Sequence, residues 1–223
     1  MGFAMPPWLR VAAKDTLQEL VLPGRFLWRL PVASGDLALT FDDGPDDRYT
    51  TPLLDLLAYH DIRATFFLVG RSVQQRPEIA RRIDREGHMI GSHSLDHRDL
   101  PELPATEFAR QIDGGRQAIC DAIGRDTALF RPPRGRLDAR TLWKLARMGL
   151  CVAHWSRTWS DYRRDGAQAL LDRSRRDPVK RRDILLLHDN NQDTIDALEY
   201  WVPLWKEQSL RFATLGATMR LES

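Results

Sequence analysis

Residues 37–46, Leu-Ala-Leu-Thr-Phe-Asp-Asp-Gly-Pro-Asp, set the interpretation of the whole chain. In the first half, leucine, leucine and phenylalanine alternate with smaller residues, which predicts a short β-strand. Gly44 and Pro45 break that strand, so Asp42 and Asp43 lie at its carboxyl end. Successive side chains diverge at such a tip, and ligands of parallel α/β sheets collect there. The stretch therefore predicts an active site in which two neighbouring carboxylates have different roles.

The composition is that of one ordinary globular domain. The chain has 223 residues, 43% hydrophobic and 29% charged, without the bias typical of disorder. No apolar run reaches the roughly 18 to 20 residues of a membrane span, and charges near the N-terminus leave no apolar core for a secretion signal. Cys120 and Cys151 lack metal-ligand spacing and fit reduced cytosolic thiols, with one disulfide left open. The net charge of +2 gives no argument for a nucleic-acid partner. We expect a cytoplasmic protein, or one peripheral at a membrane.

Helical and strand-like patterns alternate along the chain. Residues 1–35 are predicted to be an N-terminal lead-in with one helix near residues 9–22, and residues 36–223 one folded domain. After the first strand, further strands are predicted at 64–70, 88–91, 128–130, 150–155, 183–188 and, weakly, 210–214. Helices are predicted at 51–58, 77–86, 105–123, 138–148, 166–176 and 194–207. Seven strands alternating with helices predict a parallel α/β fold, a closed or nearly closed barrel.

Polar residues follow most of the predicted strands, where they would converge on one rim. They are Asp42, Asp43, His93, His97, Arg131, Asp161 and His188. Two histidines four residues apart face the same way on a helical turn, and with one carboxylate they leave open positions on a divalent ion. Water on such an ion is acidified, and a second carboxylate can take its proton. The pattern therefore predicts metal-assisted hydrolysis.

Five ordered motifs carry a resemblance to a known family. They are Thr40-Phe-Asp-Asp-Gly-Pro-Asp46, His93-Ser-Leu-Asp-His97, Arg131-Pro-Pro-Arg-Gly135, the segment 155–162, and Leu185-Leu-Leu-His188. Together they resemble the motifs of the polysaccharide deacetylase family, the NodB-homology carbohydrate esterases of the family 4 type. The resemblance covers about residues 36–215. It implies a distorted (β/α) barrel of about seven parallel strands, with 36–223 as the catalytic domain. The implied activity is metal-dependent removal of N- or O-acyl groups from sugars.

The resemblance also implies roles for the residues at the strand tips. Asp42 would be the general base, and His188 the general acid. Asp43, His93 and His97 would bind one divalent ion. Zn²⁺ is the first candidate for that ion, and Co²⁺, Ni²⁺ and Mn²⁺ are alternatives.

Other motif residues would support the base, the acid and the substrate. Arg131 would hold the base and lower its pKa, while Asp161 would orient the acid and favour its protonated form. Trp155 and Leu185 match family positions near a small acyl pocket. A backbone N–H near Arg134 would help to stabilise the oxyanion.

The third and fourth motifs depart from the family pattern. Arg134 stands where an aromatic residue is usual, and Thr158 and Tyr162 replace an Asp and a Trp. None of these changes touches the metal ligands, the base or the acid. Arg134 could pair with a phosphate or carboxylate on the substrate, so the departure concerns the sugar subsite.

Each motif has a simpler interpretation when taken alone. The Asp-Asp-Gly-Pro stretch could be a solvated turn, the histidine pair a surface helix, and His188 a histidine that ends a strand. Their joint, ordered occurrence favours a site. His60, His88 and His154 lie outside the motifs and are expected to be structural.

The Arg-rich stretch 163–182 is most simply a solvated helix with its flanks. The alternative is an anionic or membrane-surface partner, for which aromatic residues would supply the apolar contact. The candidates are Trp8, Phe26, Trp28, Trp201 and Trp205.

The leading hypothesis is a divalent-metal hydrolase that removes an N-acetyl or other small acyl group from an amino sugar. Its partner would be an acetylated carbohydrate, either a glycan, an oligosaccharide or a lipid-linked saccharide. A catalytically silent carbohydrate-binding module of the same fold and a hydrolase of small non-sugar amides are the alternatives. A purely binding protein would not need both an acid and a base. The oligomeric state stays open.

Overall fold

The computed structural model describes residues 7–16, 18–19, 24–31 and 36–216. Within them, eight strands form one parallel sheet in the order β1-β6-β5-β4-β3-β2-β8-β7. The strands are β1 (Phe26–Leu27), β2 (Leu37–Asp42), β3 (Thr65–Leu68), β4 (Met89–Ser92), β5 (Leu129–Phe130), β6 (Cys151–Ala153), β7 (Arg157–Thr158) and β8 (Asp183–His188). The α-helices of the same part of the chain are α1 (Pro7–Thr16), α2 (Thr50–Tyr59), α3 (Gly70–Gln75), α4 (Pro77–Arg85), α5 (Ala105–Ile123), α6 (Ala139–Arg147), α7 (Ala167–Arg176) and α8 (Gln192–Glu207).

The sheet curls into a nearly closed barrel. The chain beyond β1 returns to the start of β8, where Arg29 forms an antiparallel bridge with Asp183. The amide of Leu30 also donates to the carbonyl of Arg182 at 2.9 Å. The predicted barrel is confirmed, with eight strands in the described chain in place of about seven. Strand β1 lies before residue 36, so part of the predicted lead-in belongs to the sheet. The domain boundary at residue 36 stays a prediction.

Alternating side chains of the strands enter two different cores. Leu39 and Phe41 face the helices and pack in one cluster with Trp201 of α8. Ala38 and Ile184 face the opposite side of the sheet, toward the barrel interior. Burial of each large apolar side chain stabilises the fold by about 1.5–3 kcal/mol. The period of two along β2 thus holds the strand between two apolar layers.

Local sequence signals place the ends of the helices. Asp138 begins α6 by accepting a hydrogen bond from the Thr141 amide at 2.7 Å, as the predicted N-cap should. Gly124 ends α5 in the left-handed region, with φ of 76°. The bounds of α5 are those predicted from the sequence.

Several predicted elements differ from the structure. Strands β1 and β7 and helix α3 were not predicted, and the weak strand 210–214 is reduced to one bridge between Phe212 and Leu37. The histidine pair does not lie on a helix, because the loop after β4 turns through left-handed residues at Ser94 and His97. Of the predicted helix near 9–22, residues 9–16 lie in α1 and residues 18–19 are also helical; residues 17 and 20–22 lie outside the described chain.

The aromatic residues proposed for a membrane surface are mostly core residues. Phe26, Trp28, Trp201 and Trp205 are all buried, and the side chain of Trp8 lies outside the described part. Among the described residues, none of the helices combines the length and the apolar character that a bilayer crossing requires.

Candidate active site

The site is built on the pairing of two parallel strands. In the register of β2 with β8, Asp42 lies opposite His188. The next residue, Asp43, has a φ of 82° and turns the chain out of the sheet. Parallel register therefore places one carboxylate beside the histidine, and the turn points the second carboxylate elsewhere.

Asp42 is held by a buried arginine. Arg131 is fully buried, and its Nη1 donates to Asp42 Oδ1 at 2.7 Å and to Thr40 Oγ1 at 2.8 Å. Its Nη2 donates to the carbonyl of His154 at 3.0 Å, and the guanidinium lies 4.0 Å from the centre of the Phe67 ring. These contacts leave Asp42 one orientation.

The pKa of Asp42 does not follow the sequence-based expectation. Burial raises the pKa of this carboxyl, and the neighbouring cation of Arg131 lowers it by less. The expected pairing is present, but the expected net lowering of the pKa is wrong, because the pair lies out of water.

Three metal-ligating side chains meet beside this pair. Asp43 Oδ1 lies 3.4 Å from His97 Nε2 and 3.7 Å from His93 Nε2, and the three candidate ligand atoms are all within 4.8 Å of one another. Among the described residues, this buried Oδ1 has no hydrogen-bond partner. Three electron-pair donors facing one another form an arrangement that a cation stabilises, so the residues fit one divalent ion.

The protonation of His93 suits a ligand. Its Nδ1 lies 2.7 Å from the carbonyl of Arg131, which can only accept, so the proton belongs on Nδ1 and Nε2 carries a free electron pair. Burial lowers the pKa of His93 to about 3 and keeps the ring neutral at neutral pH.

His188 has the opposite protonation state. Asp161 Oδ1 lies 2.9 Å from its Nδ1, and Asp161 Oδ2 accepts from the His188 amide at 2.6 Å and from Thr194 Oγ1 at 2.9 Å. Burial opposes the charged ring, but the hydrogen bond and charge of Asp161, with the charge of Asp42, outweigh it and raise the pKa of His188 to about 9. The ring is therefore a cation at neutral pH, able to donate from Nε2.

These groups open into a cleft of about 510 Å³. It is lined by Asp42, Asp43, His93, His97, Arg134, Gly135, Trp155, Thr158, Tyr162, Leu186 and His188. Leu185, which the sequence assigned to the acyl pocket, does not line it. Side chains alternate along β8, so Leu185 packs in the helix-facing core and Leu186 faces the cleft.

Arg134 lies on the rim of the cleft in an ion pair. Its Nη1 is 2.7 Å from Asp99 Oδ1, and Arg136 contacts the other oxygen of Asp99 at 2.7 Å. The side chain of Arg134 is still 57% exposed, so it can meet a substrate group. Because the amides of Gly135 and Arg136 already donate to the carbonyls of Pro132 and Pro133, the Arg134 amide is this loop's candidate oxyanion donor.

Sequence analysis missed several residues near the site. Gly135 has a φ of 62°, and a Cβ there would overlap the ring of Trp155, so a glycine is required. Its place in the third motif was the available signal. Asp189 and Asn190 follow His188 directly and contact the loop after β2. No local pattern predicts those contacts, since they join residues about 145 positions apart.

Two of the histidines outside the motifs, His88 and His154, make structural contacts. His88 Nδ1 accepts from the amide of Ala64 at 3.1 Å, and burial lowers the pKa of His88 to about 4. His154 stacks on Trp155, with ring centres 4.5 Å apart.

Known proteins of one family resemble this chain in sequence. The family model of polysaccharide deacetylases matches residues 30–153. A peptidoglycan-N-acetylglucosamine deacetylase of Bacillus cereus is 32% identical over 210 residues, which are 91% of this chain and 97% of that protein.

Another relative is similar in sequence and in fold. The peptidoglycan-N-acetylmuramic acid deacetylase PdaA of Bacillus subtilis is 30% identical over 188 residues, covering 81% of this chain and 70% of the relative. The solved structure of PdaA, a family 4 carbohydrate esterase, superposes with a TM-score of 0.81 at 27% identity over 93% of this chain and 90% of that one. A family 4 pseudoenzyme of Bacillus anthracis has a TM-score of 0.80 at 24% identity over 89% of this chain and 70% of that one, a likeness in fold alone.

Proposed function

This chain belongs to the polysaccharide deacetylase family of hydrolases, and we propose that it removes the N-acetyl group of an amino sugar. Asp43, His93 and His97 would hold one divalent ion, with Zn²⁺ the first candidate. The observation that carries the proposal is the pairing at the cleft: a carboxylate held by an arginine and a histidinium held by a carboxylate flank the three ligands.

The bound ion would supply an acidified water and polarise the acyl carbonyl. Asp42 is placed to accept the proton of the attacking water, and Arg131 fixes the orientation of its carboxylate. The Arg134 amide is the candidate donor to the oxygen that becomes negative. These residues thus promote formation of the tetrahedral intermediate.

His188 completes the reaction. As the C–N bond breaks, its Nε2 gives a proton to the departing amine, and the acyl group leaves as the carboxylate. Asp161 holds the donor ring through Nδ1 and keeps it charged until the proton moves. The carboxylate base and the histidinium acid therefore serve opposite steps of one hydrolysis.

Release of acetate tests the function. Metal-loaded protein is incubated with N-acetylglucosamine oligomers, peptidoglycan fragments and simple amides, with Asp42→Asn as the control. We expect release from the sugars and little from the control. Binding of the sugar without release would instead indicate the silent module, and preferential hydrolysis of simple amides the non-sugar hydrolase.

The substrate proposed is an acetylated glycan with a nearby anionic group. Two relatives are named for peptidoglycan amino sugars, and Arg134 lies exposed at the rim of the cleft. Replacing Arg134 by Tyr should raise kcat/KM for neutral oligosaccharides relative to anionic ones, because guanidinium pairs with carboxylate or phosphate. Arg136→Tyr is the matched control, since Arg136 shares Asp99 but does not line the cleft. Equal substrate rankings in wild type and Arg134→Tyr would refute the proposal.

The compartment stays a prediction linked to the substrate. A cytoplasmic or membrane-peripheral protein would meet soluble or lipid-linked saccharides. Cys120 and Cys151 are both free thiols, which accords with a reducing compartment. Cell fractionation tests this prediction, and recovery of the protein outside the cytoplasmic membrane would contradict it.

A further inference from the structure

The chain just after β8 meets the chain just after β2. The amide of Asp189 lies 3.4 Å from the carbonyl of Asp42, and a Cβ on Gly44 would overlap the carboxylate of Asp189. Because Gly44 has no side chain, the chain after β2 can pack directly against the chain after β8. As a result, the residue after Asp189 emerges beside Asp43.

Asn190 contacts the carboxylate of Asp43. Its Nδ2 donates to Asp43 Oδ2 at 3.2 Å. The other oxygen, Oδ1, faces the two histidines at 3.4 and 3.7 Å. Asn190 therefore holds Oδ2 of Asp43, while Oδ1 points toward His93 and His97.

Arg164 fixes Asn190 in turn. Its Nη2 donates to the backbone carbonyl of Asn190 at 3.1 Å and lies 3.4 Å from Asn190 Oδ1. An amide between a guanidinium and a carboxylate has one favourable orientation, with its oxygen toward the cation and its NH₂ toward the anion. Arg164 thus selects the orientation in which Asn190 donates to Asp43.

We propose that Asn190 is a positioning residue that fixes Asp43 as a metal ligand, and that Arg164 acts through Asn190. The inference deepens the proposed function and rests on Asp43 binding an ion. A carboxylate free to rotate must be ordered when the ion binds, whereas one already held is preorganised. Partners of this kind change metal affinity about 10- to 100-fold when removed.

Metal affinity of the full-length apo-protein tests the inference, with Zn²⁺ competed against a chromogenic chelator. Asn190→Ala should weaken Zn²⁺ binding about 10- to 100-fold. Arg164→Ala should weaken it less, because Asn190 keeps its own contact. The double variant should bind no more weakly than Asn190→Ala alone, since Arg164 would act through a side chain already removed.

Gln192→Ala is the matched control, because Gln192 lies two residues further along, at the start of α8, and contacts Asp196. Its affinity should equal that of wild type. Thermal unfolding of each apo-variant separates positioning from stability, and the midpoint of Asn190→Ala should stay close to that of wild type. Wild-type affinity in Asn190→Ala, or additive losses in the double variant, would overturn the inference. Absence of Zn²⁺ binding by the wild type would instead refute the proposed metal site.

Discussion

Asp42 and Asp43 are neighbours in the chain but have different surroundings. Asp42 is 3% exposed and paired with Arg131, whereas Asp43 faces two imidazoles with an oxygen that lacks a hydrogen bond in the described chain. The first environment suits a proton acceptor of fixed orientation, and the second suits a ligand. A single turn of backbone thus gives two identical side chains surroundings that suit separate roles.

Replacing each aspartate by asparagine should separate those roles. Asp42→Asn should keep the metal and lower turnover about 10²- to 10⁴-fold, because an amide cannot take the proton of water. Asp43→Asn should weaken metal binding, and added metal should partly restore its activity. Metal content and rate are measured for both variants. Equal metal loss in the two, or full activity of Asp42→Asn, would show that the roles are assigned wrongly.

The charge on His188 predicts a pH dependence of the rate. The acid must be protonated, so kcat/KM should fall as pH rises through the pKa of about 9. A bound cation nearby would lower the pKa of His188 and move this alkaline limb of the pH profile to lower pH. Asp161→Asn removes the charge that raises the pKa and should shift the limb further toward 6.5. Thr194→Val is the control, since it removes one contact of Asp161 but keeps its charge. A limb unmoved in Asp161→Asn would argue against His188 as the acid.

The same shift contributes to stability. The pKa of His188 is raised above its ordinary 6.5 in the folded chain. The protonated pair with Asp161 therefore stabilises the fold fully below about pH 6.5, and this contribution is lost as pH rises through about 9.

Among the elements, the loop after β5 requires a glycine at position 135. It carries Arg131 into the interior, and at Gly135 it packs against the ring of Trp155. One short loop therefore positions both Arg131, which holds Asp42, and a wall of the cleft. A change in its path would alter both.

Gly135→Ala should destabilise the protein and raise KM. The left-handed backbone alone costs about 1–2 kcal/mol, and overlap with Trp155 adds about 1–3 kcal/mol. Gly124→Ala isolates the first cost, because Gly124 has a φ of 76° and nothing within 4 Å of an added Cβ. Denaturant unfolding and substrate kinetics are compared for the two variants. If both lose the same free energy of unfolding, the contact with Trp155 is not the constraint we describe.

The sequence predicted the longer elements well and missed several of the shortest ones, although the two-residue strand β5 was predicted at 128–130. Helix α5 and strand β8 have enough residues for a period to be visible, and both were predicted with the observed bounds. Strands β1 and β7 have two residues each, too few for alternation to appear. They exist because neighbouring strands offer free hydrogen-bonding edges, which is a tertiary effect.

At the site, the sequence identified the residues of the motifs but not the contacts between distant segments. The period of two in β8 would have chosen Leu186 over Leu185, had it been counted back from His188. Asn190 carries no such signal, because its contact with Asp43 depends on how two loops pack. The rise in the pKa of Asp42 likewise depends on the depth of burial, which pattern alone does not give.

For the whole molecule, a buried ion pair lies near the start of β8, where the chain after β1 meets the sheet. Asp183 is fully buried, and its oxygens accept from Arg157 Nε at 2.6 Å, Ser156 Oγ at 2.8 Å and the amide of Lys180 at 2.8 Å. It also bridges to Arg29 across the gap in the barrel. This cluster joins β7, β8 and the chain after β1.

Asp183→Asn should lower the free energy of unfolding by about 3 kcal/mol, because it leaves the buried cation of Arg157 without its inner partner. Asp177→Asn removes the outer, mostly exposed partner of the same arginine and should cost less than about 1 kcal/mol. Denaturant unfolding measures both. The folded variants should bind metal as wild type does, since the cluster lies outside the cleft. Similar losses in the two variants would contradict a special role for the inner pair.

The register of the six paired residues in β2 and β8 also sets the relative position of Asp42 and His188. Asp42 and His188 lie side by side because each ends the same count of paired residues, begun at Leu37 and Asp183. Inserting one residue before Leu187 in β8 would bring Leu187 to the place of His188, and deleting one residue would bring Asp189 there. An extra residue beyond Asn190 would only lengthen a loop. The chain can therefore vary in length outside these paired residues, while the relative position of Asp42 and His188, the proposed base and acid, is set by the register of the two strands.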